Sequence, residues 1–290
     1  RQRPMIPFIF NTDRDRRIML DRIGAGSAAD LFAAVPEKFR FPKLDLPRPL
    51  SEPEVLEELG RLADRNAGAA GPAVFAGGGA YRHFVPSVVD ALASRGEFLT
   101  SYTPYQPEAS QGTLQALFEY QSMTADLFGM DTVNASHYDG ATALAEGVLM
   151  AYRAQREERK KVVLSAGIHP EYRAVVETYA KNLDLRVCGA EENAGKPADL
   201  ERLIDGDTAC VVVSFPTFFG DLADYSGLCR AAHGKGALFI VSADPISLAL
   251  FEPPGSYGAD IVTGEGQSLG NYVSFGGPYL GLFAASKGLL

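Results

Sequence analysis

From about residue 74 onward, helical runs alternate with short β-rich runs, and this alternation limits the possible folds more than any other feature of the chain. The β runs are "KVVLSA", "DLRVCGA", "ACVVVSF", "ALFIVSA" and "ADIVTG". The helical runs are "TLQALFEYQSMTADLFG", "TALAEGVLMAYRAQREER", "PEYRAVVETYAKNL" and "LADYSGLCRAAHGKG". Strands separated by helical crossovers assemble into a parallel sheet with helices on both faces. The expected fold is therefore α/β, a three-layer and mostly parallel sheet, over residues 74–290.

Residues 1–73 read as an N-terminal helical and extended arm. "NTDRDRRIMLDRIG" offers Asn11 or Thr12 as an N-cap, acids in the first turn and Gly24 as a stop. "FRFPKLDLPRPL" is pinned in extended form by its prolines. Ser51 and Glu54 have capping-box spacing ahead of a second helix.

Composition narrows the function. A net charge of −9 and a pI near 5.0 give no electrostatic footprint for a phosphate backbone, so nucleic acid is not an expected partner. Asp244 interrupts the longest apolar run, "GALFIVSADPISLALF", so no bilayer span is expected. Cys188, Cys210 and Cys229 are odd in number and lack C-x-x-C spacing, and Cys210 reads as a buried thiol; a reducing cytoplasm fits them, and no metal site is expected.

In parallel sheets ligands sit beyond the carboxyl ends of the strands. Four loops fall there. Gly140, Ala141 and Thr142 open a helix whose backbone N–H groups would suit a phosphate, although the same residues serve as a plain cap. His169 follows a strand, as a hydrogen-bonded loop residue or a catalytic one. Asp244 ends a very apolar strand, where a carboxylate is costly unless it meets a cation. The fourth loop follows "ADIVTG". Elsewhere Gly77 to Gly79 suit positive φ, Phe84, Tyr102 and Tyr105 suit interface packing, His233 suits a surface position at a helix end, and "REERKK" (156–161) suits a solvated helix end.

The four loops together resemble the large domain of fold-type I pyridoxal phosphate enzymes. The resemblance implies a phosphate on Gly140 to Thr142, His169 against the cofactor ring and Asp244 at the pyridinium nitrogen. The Schiff-base lysine would fall at or near Ser268, yet no lysine lies between Lys235 and Lys287. A closer resemblance accounts for that gap. Residues 100–147, with "TPYQPE-SQG-L", together with "NTDRDRRIMLDRIG", "FAGGGAYRHFVPSVV", "HPEYRAVVETYA" and "GEGQSLGNYVSFGGPYLG", are similar to the P-protein of the glycine cleavage system, specifically subunit 1 of its two-subunit form.

That resemblance implies glycine decarboxylation with transfer of the aminomethyl group to the lipoyl arm of H-protein. It implies pyridoxal phosphate bound covalently by subunit 2, a heterotetramer of two copies of each subunit, and no covalent cofactor or complete catalytic set in this chain alone. Tyr102, Thr103, Tyr105, Gln106 and Glu108 become candidates for the glycine site at the subunit interface. A C-terminal small domain, present in the family, is expected to be missing from this chain. Two other readings remain open: an autonomous aminotransferase-like or cysteine desulfurase-like enzyme using another lysine, Lys287 being the nearest, and a purely structural paralogue.

Overall fold

A computed structural model of the chain describes residues 11–67, 73, 75, 77–99, 103–190, 194–277 and 279–290. Two compact units are present, Arg1–Gly68 and Ala69–Leu290.

In the first unit, α1 (Asp13–Ile23) starts with a reciprocal capping box. Asp15 N–H donates to Thr12 Oγ1 at 3.2 Å, and Thr12 N–H donates to Asp15 Oδ2 at 2.9 Å. Gly24 ends the helix at φ 73°, a left-handed conformation that glycine adopts without strain. Helix α2 (Glu52–Ala63) repeats the box, with Ser51 N–H donating to Glu54 Oε2 at 2.7 Å. Residues 42–50 between them have no regular secondary structure.

The second unit begins with α3 (Ser87–Ala93), α4 (Gly96–Leu99) and α5 (Gln111–Phe128). There follow β1 (Thr132–Val133), α6 (Gly140–Ala154), β2 (Lys161–Leu164), α7 (Pro170–Ala180), β3 (Arg186–Cys188), α8 (Pro197–Glu201), β4 (Thr208–Phe215), α9 (Ser226–Gly234), β5 (Leu238–Ala243), β6 (Ile261–Glu265) and β7 (Gly281–Ala285). The strands form one seven-stranded sheet in the order β1-β7-β6-β5-β4-β2-β3. β6, β5, β4, β2 and β3 pair in parallel, and β7 runs antiparallel to both β6 and β1.

Successive strand residues serve opposite faces, as the two-residue period of a strand requires. Val211, Val213, Phe239, Val241 and Val262 pack with Phe128 of α5, Leu200 of α8 and Leu228 and Ala232 of α9. Cys210, Val212, Ile240 and Ile261 pack with Leu144, Val148 and Ala151 of α6 and Val176 of α7. The mostly parallel, three-layer sheet read from the sequence is thus the one observed. Cys210 is fully buried, and burial pushes its thiol up to about 12.

One segment departs from its expectation. Helix α6 stops at Ala154, and Arg156 and Glu157 follow at φ 54° and 60°, so "REERKK" is not a solvated helix end. Arg159 Nη1 donates to the carbonyls of Thr208 at 3.0 Å and Lys235 at 2.8 Å. Lys161 lies in β2 with only 8% exposure and reaches Asp205 Oδ2 at 2.8 Å. Both side chains tie down the connections into β4 and β5, and unpaired they would carry a desolvation cost.

Candidate functional site

A cavity of about 290 Å³ opens where β4, β5 and β6 end. Its walls include His169 and Tyr172, Thr217 and Phe218 after β4, Asp244 after β5, and Glu265, Gln267 and Ser268 at the end of β6. Three of the positions singled out from the sequence, His169, Asp244 and Ser268, therefore share one cavity.

His169 is the N-cap of α7. Its Nδ1 accepts the Glu171 N–H at 3.1 Å, which leaves Nε2 to donate to the Gly78 carbonyl at 2.9 Å. Those partners select the tautomer protonated on Nε2. Its ring also meets Phe218 edge-on, with centroids 4.7 Å apart, and Tyr172 at 5.2 Å. Gly77, Gly78 and Gly79 have φ of 68°, 86° and 91°, and a Cβ on Gly79 would lie 3.2 Å from His169 Cδ2. The glycine triplet thus gives the backbone a left-handed path and lets it approach the imidazole.

Among the described residues Asp244 meets no cation. It is exposed, and its Oδ1 accepts the Ile246 N–H at 3.1 Å in a local turn, so the expected burial cost does not arise. Among the described residues lining the cavity there is no lysine or arginine.

At the start of α6 two of the three N–H groups expected to be free for an anion, those of Gly140 and Thr142, are already bonded. Thr142 N–H donates to Asp139 Oδ1 at 2.8 Å, an ordinary side-chain cap. Gly140 N–H donates to Glu265 Oε2 at 2.9 Å, across 125 residues of sequence. Glu265 Oε1 also accepts N–H bonds from Gln267 at 2.9 Å and Leu280 at 3.1 Å. Burial raises the Glu265 carboxyl above its usual range, against the pull of these three donors, and the Asp139 charge adds to the rise. Tyr172 crowds the same corner: a Cβ on Gly140 would stand 2.6 Å from its hydroxyl oxygen and 3.1 Å from Glu265 N. Burial, followed by the Glu265 charge, pushes the Tyr172 phenol well up. Gly140, Ala141 and Thr142 do not themselves line the cavity.

Glu265 was absent from the candidates read off the sequence. Glu265 follows "ADIVTG" as Asp244 follows its own apolar strand, and a carboxylate in that position is the signal that could have found it. Of the proline-framed loop, Tyr102 lies outside the described residues. Thr103, Tyr105, Gln106 and Glu108 are exposed and do not line the cavity. Tyr105 is 83% exposed, and Phe84 88%. His233 is tied to Asp260, Nε2 to Oδ2 at 2.8 Å. The strand ahead of Lys287 is antiparallel to β6, so Lys287 follows the end of β7 that pairs with the start of β6, away from the cavity.

Comparison with known proteins identifies relatives of the chain. The family model described as "Glycine cleavage system P-protein" matches residues 7–290. The "Probable glycine dehydrogenase (decarboxylating) subunit 1" of Chloroherpeton thalassium is 54% identical over 288 residues, covering 98% of this chain and 65% of that protein. The protein of the same description from Thermomicrobium roseum is 47% identical over 283 residues, covering 97% and 63%. A crystal structure of glycine decarboxylase (P-protein) of the glycine cleavage system, in inhibitor-bound form, matches with a TM-score of 0.86 at 49% identity, covering 98% of this chain and 64% of that one. The chain thus spans a little under two thirds of the length of the curated relatives it matches.

Proposed function

The chain belongs to the glycine cleavage system P-protein family, and from that membership we propose that it is the lysine-free subunit of a glycine decarboxylase. Together with subunit 2, in a heterotetramer of two copies of each, the whole protein decarboxylates glycine and passes the aminomethyl group to the lipoyl arm of H-protein. Pyridoxal phosphate is bound covalently by subunit 2. The free cysteines accord with a reducing cytoplasm.

The cavity of this chain does not fit that cofactor. Ser268 and Gln267 stand where an amine is needed for covalent attachment, and neither side chain supplies one. No lysine or arginine among the lining residues faces a phosphate, and the N–H of Gly140 is engaged by Glu265. This cavity, without an amine at its floor and beside a helix start whose Gly140 and Thr142 N–H groups are already bonded, is the observation that carries the proposal. The chain's contribution lies instead at the exposed loop of residues 103–108. Pro104 and Pro107 restrict the backbone there, so Thr103, Tyr105, Gln106 and Glu108 lose little freedom on meeting a partner's site.

The test is co-expression of the full-length protein with subunit 2, followed by size analysis, glycine decarboxylation and mass spectrometry after borohydride treatment. The subunit alone is expected to stay colourless with pyridoxal phosphate, to take no pyridoxyl label at a defined residue and to leave glycine intact. Subunit 2 should supply both colour and activity. Stoichiometric pyridoxyl label on Lys287, or on any other single lysine of this chain, defeats the proposal and favours an autonomous enzyme.

A further inference from the structure

Glu265 is the meeting point of three chain segments. Oε2 takes the N–H of Gly140, at the head of the 15-residue helix α6, while Oε1 takes those of Gln267, in the turn after β6, and Leu280, just before β7. The carboxylate is therefore bonded at both oxygens by backbone donors, at the positive end of a helix. A phosphate at a helix N-terminus is held in the same manner, by unpaired N–H groups and the helix dipole. Glu265 reaches the position as the last residue of β6, so the sheet itself fixes the anion in place. The surroundings agree. Asp139 bonds a second donor of the same turn, Thr142 N–H, Asp244 brings a second carboxylate to the cavity, and the described lining holds no lysine or arginine, its basic groups being His83 and His169.

We propose that Glu265 is the resident anion of the α6 N-terminus, a built-in substitute for a phosphate group, and that it closes this cavity to phosphate-bearing ligands. The carboxylate joins the first turn of α6, the turn after β6 and the approach to β7, so the protein's own backbone bonds shape this corner of the cavity. This inference does not depend on the glycine decarboxylase reading, since it concerns only which anion occupies one helix end.

The experiment measures inorganic phosphate binding to the full-length protein in its purified assembly, by melting in rising phosphate against chloride of equal ionic strength. Wild type is expected to show no stabilisation specific to phosphate. Glu265→Ala should melt lower in chloride and recover in phosphate, with apparent phosphate affinity at least about tenfold above wild type. Crystals of the variant grown in phosphate should place the anion on Gly140 N–H. If Glu265→Ala does not fold in chloride, the same titration on Glu265→Ser, which retains one acceptor, gives the comparison. A folded variant that responds to phosphate no more than wild type overturns the proposal, as does wild type binding phosphate on Gly140 N–H. A helix cap with no relation to phosphate would lower the melting temperature of the variant without creating the phosphate response.

Discussion

The charge state of Glu265 is set by two opposing effects, burial and backbone hydrogen bonding, and its titration shows which prevails. Three N–H donors favour the carboxylate, yet burial wins and the carboxyl is raised. A carboxyl raised on folding stabilises the native state most when protonated. Its contribution is complete below the ordinary glutamate range, about pH 4.3, and is lost as pH rises through the raised folded value. Glu265→Gln is neutral throughout, so the margin by which wild type exceeds it should shrink as pH rises across that window. Urea unfolding of both proteins at steps from acid to neutral pH measures this, and parallel stability curves would contradict it. Tyr105 gives a cleaner separation of function from folding. Its side chain is largely in solvent, so Tyr105→Phe should reduce turnover of the assembled enzyme while moving the melting temperature by no more than about 4 °C. Undiminished glycine decarboxylation would remove the loop from the proposed site.

Elements whose determinants lie within a few residues were legible in the sequence. Thr12 with Asp15, Ser51 with Glu54, and Gly24 are local signals, and each marks an observed helix boundary. The five β runs each overlap an observed strand, β4 starting one residue before its run and β6 ending one residue after. What escaped depends on distant partners. β1 is two residues long and is held by pairing with β7, so it has no pattern of its own to read. Lys161 looked like part of a charged helix end because its partner, Asp205, is 44 residues away. The Glu265 contact with Gly140 spans still more sequence. The chain near Gly281 shows how close the elements come. Gly281 exchanges N–H bonds with His137 at 2.8 and 2.9 Å, and a Cβ there would collide with the Asp139 carbonyl and lie 2.6 Å from His137 Cβ. Gly281→Ala should therefore cost about 1–3 kcal/mol or more, since backbone rather than a flexible side chain must give way. Urea unfolding reads the loss, and a change within about 0.5 kcal/mol, the usual range for surface substitutions, would show that the junction tolerates displacement.

At the scale of the whole molecule, the proposed assembly makes a measurable claim. Full-length protein mixed with subunit 2 should elute as a heterotetramer, with an obligate interface of about 2,000 Å² or more. A chain that remains monomeric beside subunit 2 in sedimentation or light scattering would refute it. The sheet determines what kind of contact that interface can be. Among the described residues its edge strands are β1, of two residues, and β3, of three, so few backbone donors and acceptors of the described sheet lie open along either border. Long open borders are what allow another chain to add a strand, and they are also where fibrils start. This sheet offers little of that template. At these two borders, recognition of the proposed partner is expected to rest on side-chain relief instead of backbone pairing.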